Sequence, residues 1–133
     1  MTDMKKEVVQ PKEVEVSKGP YSQAIKVRGS NLLFVSGQTP LDSQGRLIGK
    51  GDPVIQSRQV MDNLKHTLEA AGGTLDDIVK TTVYITDLNY FKAVSDVRRE
   101  YFGDKYPAST LLVVSKLYRE DILVEIDAIA VLD

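Results

Sequence analysis

The chain has 133 residues, of which 42% are hydrophobic, so it can bury one core, and we interpret residues 1–133 as a single domain. Seventeen Lys and Arg against 19 Asp and Glu give a formal net charge of -2, which argues against nucleic acid or an anionic membrane as partner. The absence of cysteine excludes disulfides, thiolate metal sites and thiol nucleophiles, and favours the cytoplasm. The first seven residues mix charges, and no stretch reaches the roughly 20 apolar residues of a membrane span, so we expect no targeting or membrane segment.

The first elements in chain order are predicted to be short strands. Residues 13–16 alternate weakly between polar and apolar side chains, residues 24–28 alternate clearly, and residues 32–35 are continuously apolar. Residues 29–31 have turn chemistry, which predicts an antiparallel hairpin with a three-residue loop. Residues 36–53 contain four glycines and two prolines and are predicted to form a long surface loop, a feature that hints at function.

Two amphipathic helices and a strand between them are predicted next. From Gln56 onward, apolar residues recur at helical spacing until Gly72 and Gly73, which are typical of a helix end. Residues 78–86 are rich in β-branched side chains and indicate a central strand. A second helix is predicted after Asp87 and Asn89 and ends at Gly103; its buried stripe would consist of Phe91, Val94, Val97 and Tyr101.

The last two strands are predicted at residues 110–117 and 123–132. Helices that follow strands in so short a chain pack most simply on one face of one sheet, so we predict an α/β (α+β) fold with a mixed sheet and two helices on one face. The final strand places Glu125 and Asp127 among aliphatic residues on the second face. We predict that other copies of the chain cover this face.

No pattern in the sequence indicates a cofactor or a metal ion. His66 is the only histidine and lies on the polar face of the first predicted helix, where a solvated side chain is the simplest interpretation. The glycines at 45, 49 and 51 have the wrong spacing for a dinucleotide fingerprint, and no phosphate-binding loop occurs. Ser22, Ser36 and Ser109 lack a nucleophile-elbow pattern.

Glu125 is the strongest candidate for chemistry that the pattern provides. An acidic residue on an otherwise apolar strand is either an exposed edge residue or a catalytic group. If it is partly buried, its pKa rises and it can act as a general base or position a water molecule. Tyr21 is either a packing residue or a pocket wall that presents a hydroxyl.

Several separated motifs resemble the reactive-intermediate deaminase A family, also called RidA or YjgF, and the resemblance extends from Gly19 to Val131. These motifs are Gly19-Pro20-Tyr21-Ser22-Gln23-Ala24, Val35-Ser36-Gly37-Gln38, Gln59-Val60-Met61-Asp62-Asn63-Leu64, Val79-Lys80-Thr81-Thr82-Val83-Tyr84, Asp87-Leu88-Asn89, Tyr106-Pro107-Ala108 and Val124-Glu125-Ile126-Asp127-Ala128-Ile129-Ala130. The resemblance implies a chorismate-mutase-like fold in a homotrimeric, barrel-like assembly.

The same resemblance implies a function and a site. Members of the family typically hydrolyse enamine and imine intermediates such as 2-aminoacrylate to a 2-oxo acid and ammonia, in a pocket between subunits and without a cofactor. Glu125 then has the catalytic position, as the group that activates water. Five further residues fall at substrate-binding positions: Tyr21, Ser36, Gly37, Asn89 and Ser109.

Ser109 departs from the family pattern, because it takes the position of an arginine that grips the substrate carboxylate. Serine cannot reproduce the planar, bidentate contact of a guanidinium, so we expect weaker turnover or a different ligand. Lys116 or Arg119 is a candidate to restore the charge. The turn before the last strand is about one residue longer than usual.

Three functions therefore remain open at the level of sequence. The first is an imine or enamine deaminase with altered substrate preference. The second is a trimer that binds small molecules or acts like a chaperone without catalysis, which Ser109 favours. The third, an endoribonuclease, is disfavoured by the acidic balance of charge and the single histidine.

Overall fold

The computed structural model of the chain describes residues 5–29 and 31–133. The charged N-terminal residues 1–4 and Ser30, in the middle of the predicted turn, lie outside the described residues. The elements are β1 (Lys6–Val9), β2 (Ala24–Val27), β3 (Asn31–Gln38), α1 (Pro53–Ala70), β4 (Ile78–Ile85), α2 (Phe91–Phe102), β5 (Ala108–Val113) and β6 (Val124–Leu132). Short 3₁₀ turns at Leu75–Asp77 and Leu88–Tyr90 precede β4 and α2.

The main sheet has four strands in the order β3-β6-β4-β5. The strand β6 is antiparallel to both β3 and β4, whereas β4 and β5 are parallel and α2 forms the crossover between them. Both helices contribute to one core with the same face of this sheet. The predicted mixed sheet with two helices on one face is therefore confirmed.

Alternation along β6 separates the two faces of the sheet. Val124, Ile126, Ala128 and Ala130 are buried against the helices. Glu125 and the other odd-numbered positions point to the second face. The alternation assigned from the sequence is therefore confirmed from Val124 to Ala130, whereas Val131, assigned to the second face, is buried.

The buried stripe of α2 differs from the predicted one at both ends. Val94 and Val97 are buried as expected, but Phe91 is 46% exposed. Phe91 is the first residue of α2 and precedes the turn that contacts the core, so the prediction for it was wrong. Phe102, at the last position of α2, is buried instead, while Tyr101 is only partly buried.

The N-terminal strands pair differently from the predicted hairpin. The strand β2 pairs antiparallel with β1, and β3 pairs with β6, so the proposed pairing of residues 24–28 with residues 32–35 was wrong. Residues 13–16 form no strand. The reason is tertiary: the nine-residue β6 gives β3 a longer partner than β2 could. An ion pair between Lys5 and Asp77 connects the β1–β2 hairpin to the 3₁₀ turn before β4.

The loop between β3 and α1 is shorter than predicted, because β3 extends to Gln38 and α1 begins at Pro53. The Asp52 carboxylate caps α1 by accepting hydrogen bonds from the backbone N–H groups of Val54 (2.9 Å) and Ile55 (3.1 Å). At the other end, Gly72 has a φ of 86°, a backbone conformation that favours glycine, so the predicted helix end is confirmed. Among the described helices, none has both the length and the apolar character needed to cross a membrane.

Candidate functional site

Glu125 and Gly37 lie against each other on the second face of the sheet. The pairing of β3 with β6 shifts register between Val35 and Gln38, and this irregularity contains Ser36 and Gly37. A Cβ atom on Gly37 would lie 2.8 Å from the carboxyl carbon of Glu125. Glycine at this position therefore leaves the space that the Glu125 carboxylate occupies, and two of the predicted site residues are in contact.

The surroundings of Glu125 suit a group that exchanges protons. Its side chain is half-buried, and burial, reinforced by the negative charge of Asp127, raises its pKa. Among the described residues, no group donates a hydrogen bond to its carboxylate, so its lone pairs remain open to water or to a ligand. A general base works best when its pKa lies near the working pH, and the rise moves Glu125 in that direction.

A tyrosine belongs to the same face of the sheet. Tyr84 of β4 is the register partner of Glu125, and its hydroxyl donates a 2.9 Å hydrogen bond to the Asp127 carboxylate. This bond and burial raise the pKa of Tyr84. The two carboxylates therefore have different surroundings, since Asp127 is bonded by a phenol and Glu125 is not.

Ser109 lies on the opposite face of the sheet. It pairs with Thr81 of β4, whereas Glu125 pairs with Tyr84 three residues further along, so the two side chains point to different sides. The Ser109 Oγ accepts hydrogen bonds from Thr81 Oγ1 at 2.9 Å and from Arg98 Nη2 at 2.8 Å. Within one chain, Ser109 is therefore part of a polar contact between β5, β4 and α2.

Tyr21 lies in a segment that runs beside the start of β5. Ser22 forms a parallel bridge with Ala108, its N–H donates to the Pro107 carbonyl at 2.9 Å, and its hydroxyl bonds to the Tyr106 carbonyl. The structure thus brings Tyr21 near Ser109 in the fold and leaves it partly exposed.

Asn89 and Ser36 are both exposed and lie near the strand ends that present Glu125. Asn89 is in the 3₁₀ turn after β4, where its N–H donates a 2.8 Å hydrogen bond to the Asp87 carboxylate. The end of β4 pairs with the start of β6, so this turn and Glu125 are at the same end of the sheet. Ser36 adjoins Gly37 in the irregular part of β3.

The two suggested sources of a replacement charge lie between β5 and β6. The guanidinium of Arg119 forms hydrogen bonds of 3.2 and 3.0 Å with the two carboxylate oxygens of its neighbour Asp121. Lys116 is exposed. A third cation, Arg98 of α2, belongs neither to the predicted buried stripe of its helix nor to any of the site motifs, so the sequence gives no signal for it.

A cleft of about 500 Å³ adjoins the site on the side of α1. Gly37 and Gln38 form part of its wall, and the exposed His66 lies at its edge, in agreement with the solvated position predicted for this residue. Asn63 donates hydrogen bonds to the carbonyls of Thr39 (2.9 Å) and Leu41 (3.0 Å) and so holds the loop that forms the rest of the cleft. Within residues 5–29 and 31–133, no group of three His, Asp or Glu side chains could hold a metal ion.

The arrangement is that of a small α+β domain with a carboxylate site on the open face of its sheet, and the comparisons with known proteins agree with it. The family described as Endoribonuclease L-PSP matches residues 12–132. The Rid-family protein YyfB of Yersinia pestis superposes with a TM-score of 0.89 at 28% identity, covering 97% of this chain and 100% of that one. The chain belongs to this family, the RidA/YjgF family that its motifs predicted.

Curated relatives with 34–47% sequence identity to this chain include proteins with named activities. The RutC family protein PH0854 of Pyrococcus horikoshii is 47% identical over 94% of this chain and 97% of its own length. The 3-aminoacrylate deaminase RutC of Acinetobacter baylyi is 34% identical, with 96% and 98% covered. A 2-iminobutanoate/2-iminopropanoate deaminase of Mus musculus is 37% identical, with 98% and 95% covered. At the level of the family, enamine and imine deamination is therefore the activity named for the two deaminase relatives.

Proposed function

We propose that this protein hydrolyses small imines and enamines that carry a carboxylate, releasing ammonia and an oxo acid. The observation that supports this most directly is the half-buried Glu125 carboxylate, which has a raised pKa and lies against Gly37. The names of the relatives point to 2-iminobutanoate, 2-iminopropanoate and 3-aminoacrylate as the class of substrate.

The reaction requires only water and a group that moves protons. An enamine first takes a proton from solvent on carbon to become the iminium ion. Glu125 then accepts a proton from water as the water oxygen bonds to the iminium carbon, which gives a neutral carbinolamine. The protonated Glu125 returns its proton to the nitrogen, the C–N bond breaks and ammonia leaves, and the carbonyl forms as Glu125 takes up the proton of the hydroxyl group. A carboxyl with a raised pKa suits both steps, because it must accept a proton and later release it.

Binding and assembly complete the proposal. Tyr21, Ser36, Gly37, Asn89 and Ser109 would contact the substrate in a pocket shared between neighbouring copies of a homotrimer. Because Ser109 and Glu125 face opposite sides of the sheet within one chain, the two that contact the same substrate would belong to different copies. Apolar side chains exposed on the open face, such as the 70% exposed Phe34, support association between copies. A cysteine-free chain supports a cytoplasmic location for this activity.

Replacing Glu125 by Gln tests the catalytic role. We expect release of ammonia from imines generated in situ to fall by about 100-fold or more, the usual contribution of a general base. Glu120→Gln, an exposed change in the turn before β6, is the matched control and should keep the wild-type rate. Full activity in Glu125→Gln would contradict the mechanism.

Binding without turnover is the second candidate, and Ser109 is the observation that favours it, because a neutral residue stands where relatives of this pattern are expected to have a cation. The distinguishing experiment compares the wild type with Ser109→Arg. Activity in the wild type supports the deaminase. Activity only in Ser109→Arg would mean that the native protein is a binder for a different ligand.

A further inference from the structure

Arg98 is a buried cation whose hydrogen-bond acceptors are all neutral. It lies on α2 and is 3% exposed. Its Nη2 atom donates to Ser109 Oγ at 2.8 Å and to the Pro20 carbonyl at 3.3 Å. Its Nε atom is buried and has no hydrogen-bond partner. The Nε–H donor of the guanidinium is therefore unused.

Arg98 has no counter-ion among the described residues. None of the ion pairs between described residues includes Arg98, whereas the next residue, Arg99, pairs with Asp96 at 3.1 Å. Burial, with a smaller contribution from the charge of Arg99, lowers the pKa of Arg98 to about 10, so the group is still charged at neutral pH. A buried charge without a counter-ion is costly, and proteins ordinarily compensate for it with an anionic partner.

Ser109 connects this buried charge to the surface. Its oxygen accepts from Arg98 and from Thr81, which is fully buried, and these two bonds use both lone pairs. The Ser109 proton is therefore free to donate, and Ser109 itself is only partly buried. A hydroxyl that accepts a bond from a cation becomes a better donor, since hydrogen bonds in a chain polarise one another.

Arg98 also anchors the segment that carries Tyr21, which lies beside Ser109. Its bond to the Pro20 carbonyl anchors the segment that carries Tyr21, and the bridge between Ser22 and Ala108 fixes this segment beside β5. The positions of both Tyr21 and Ser109 thus depend on the Arg98 guanidinium.

We propose that Arg98 is the positioning residue of an anion subsite, in which the Ser109 hydroxyl donates to the carboxylate of the ligand and the Arg98 charge strengthens that bond. The inference rests on the proposed function, because the imines named above carry a carboxylate. It assigns the charge that Ser109 lacks to a residue on α2 and to neither Lys116 nor Arg119. The subsite selects acids over neutral compounds of the same shape.

The test measures binding of 2-oxobutanoate and of its neutral amide by calorimetry. Arg98→Met should weaken binding of the acid by about 10-fold to 100-fold, the range for a hydrogen bond to a charged group, and should leave the amide unchanged. Arg98→Lys should recover part of the preference for the acid, because it keeps the charge without the fork. Lys92→Met, on the exposed side of the same helix, is the matched control.

Two further measurements keep the outcome decisive. In turnover, the loss should fall on KM and leave kcat within about threefold, because the contact holds the ligand in ground and transition states alike. If Arg98→Met does not fold, Ser109→Ala should show the same selective loss for the acid. Equal weakening of acid and amide, or unchanged binding of the acid, would overturn the subsite.

The results separate this inference from the proposed function. If the wild type releases ammonia and Glu125→Gln does not, but Arg98→Met still prefers the acid, the function stands and the role of Arg98 is wrong. If the wild type releases no ammonia while its preference for the acid depends on Arg98, the deaminase proposal is wrong and the anion subsite stands.

Discussion

Gly37 shows how one missing side chain shapes the candidate site. The Glu125 carboxylate occupies the volume where any other residue at position 37 would place its Cβ. The backbone at this point also departs from regular pairing with β6.

Gly37→Ala is therefore expected to reduce the rate of turnover as well as the stability of the fold. The new methyl group overlaps the carboxyl of Glu125 and must displace it, and a shift of about 1 Å in a reacting group lowers rates by roughly 100-fold. The rate of ammonia release measures the effect, with circular dichroism to show that the fold is retained. A variant with wild-type turnover would mean that the carboxylate works from another position.

The raised pKa of Glu125 predicts the pH dependence of the reaction. Glu125 must be ionised to accept a proton, so activity is lost as the pH falls through its pKa, and burial and Asp127 place this limb above the ordinary glutamate range. Asp127→Asn removes the charge but keeps an oxygen for the Tyr84 hydroxyl, so the acid limb should move to lower pH. A profile of kcat/KM against pH measures the shift, and movement in the opposite direction would contradict this assignment.

At the scale of the elements, Gln56 connects α1 to the segment that leads into β6. Its side chain is fully buried, donates hydrogen bonds to the carbonyls of Gly49 (3.1 Å) and Asp121 (2.9 Å), and accepts one from the Leu123 N–H (2.8 Å). Because Leu123 lies two residues before Glu125, this one amide helps to position the strand that carries Glu125.

Gln56→Leu should lower the free energy of unfolding by about 1–3 kcal/mol for each backbone group left unpaired in the interior. Chemical denaturation measures the loss. Gln59→Met is the matched control on the same helix. Its amide is only partly buried and makes weaker contacts, so the cost should be clearly smaller. Equal stability of Gln56→Leu and the wild type would show that water replaces the three bonds.

At the scale of the whole molecule, the open face of the sheet combines the candidate site with exposed apolar side chains. Leu32 and Leu112 are 49% and 41% exposed, and Phe34 is the most exposed of the three. Strand alternation places all three on the side of Glu125. A second copy covering these residues would also close the site from water.

Phe34→Glu is expected to break this association and to abolish turnover with it, while the isolated chain remains folded. Sedimentation equilibrium would show the wild type as a trimer and the variant as a monomer. Val16→Glu, an equally exposed valine in the segment before Tyr21, should remain a trimer. A monomeric wild type with full activity would show that the pocket is complete within one chain.

The two helices, the presence of the four main strands, most of the alternation along β6 and the family follow from the sequence alone, although β5 ends at Val113 and not at the predicted residue 117. Each of these depends on local spacing of apolar residues or on motifs that are contiguous in the chain, and Gly72, Gly103 and the β6 alternation are examples. Local patterns do not determine which strands pair across the fold or which end of a helix contacts the core. The predicted partner of β2 and the predicted burial of Phe91 were therefore wrong. Only the tertiary structure decided that Ser109 faces α2 and that Arg98 is buried beside it, because both depend on how β5 aligns with β4 and how α2 packs across them.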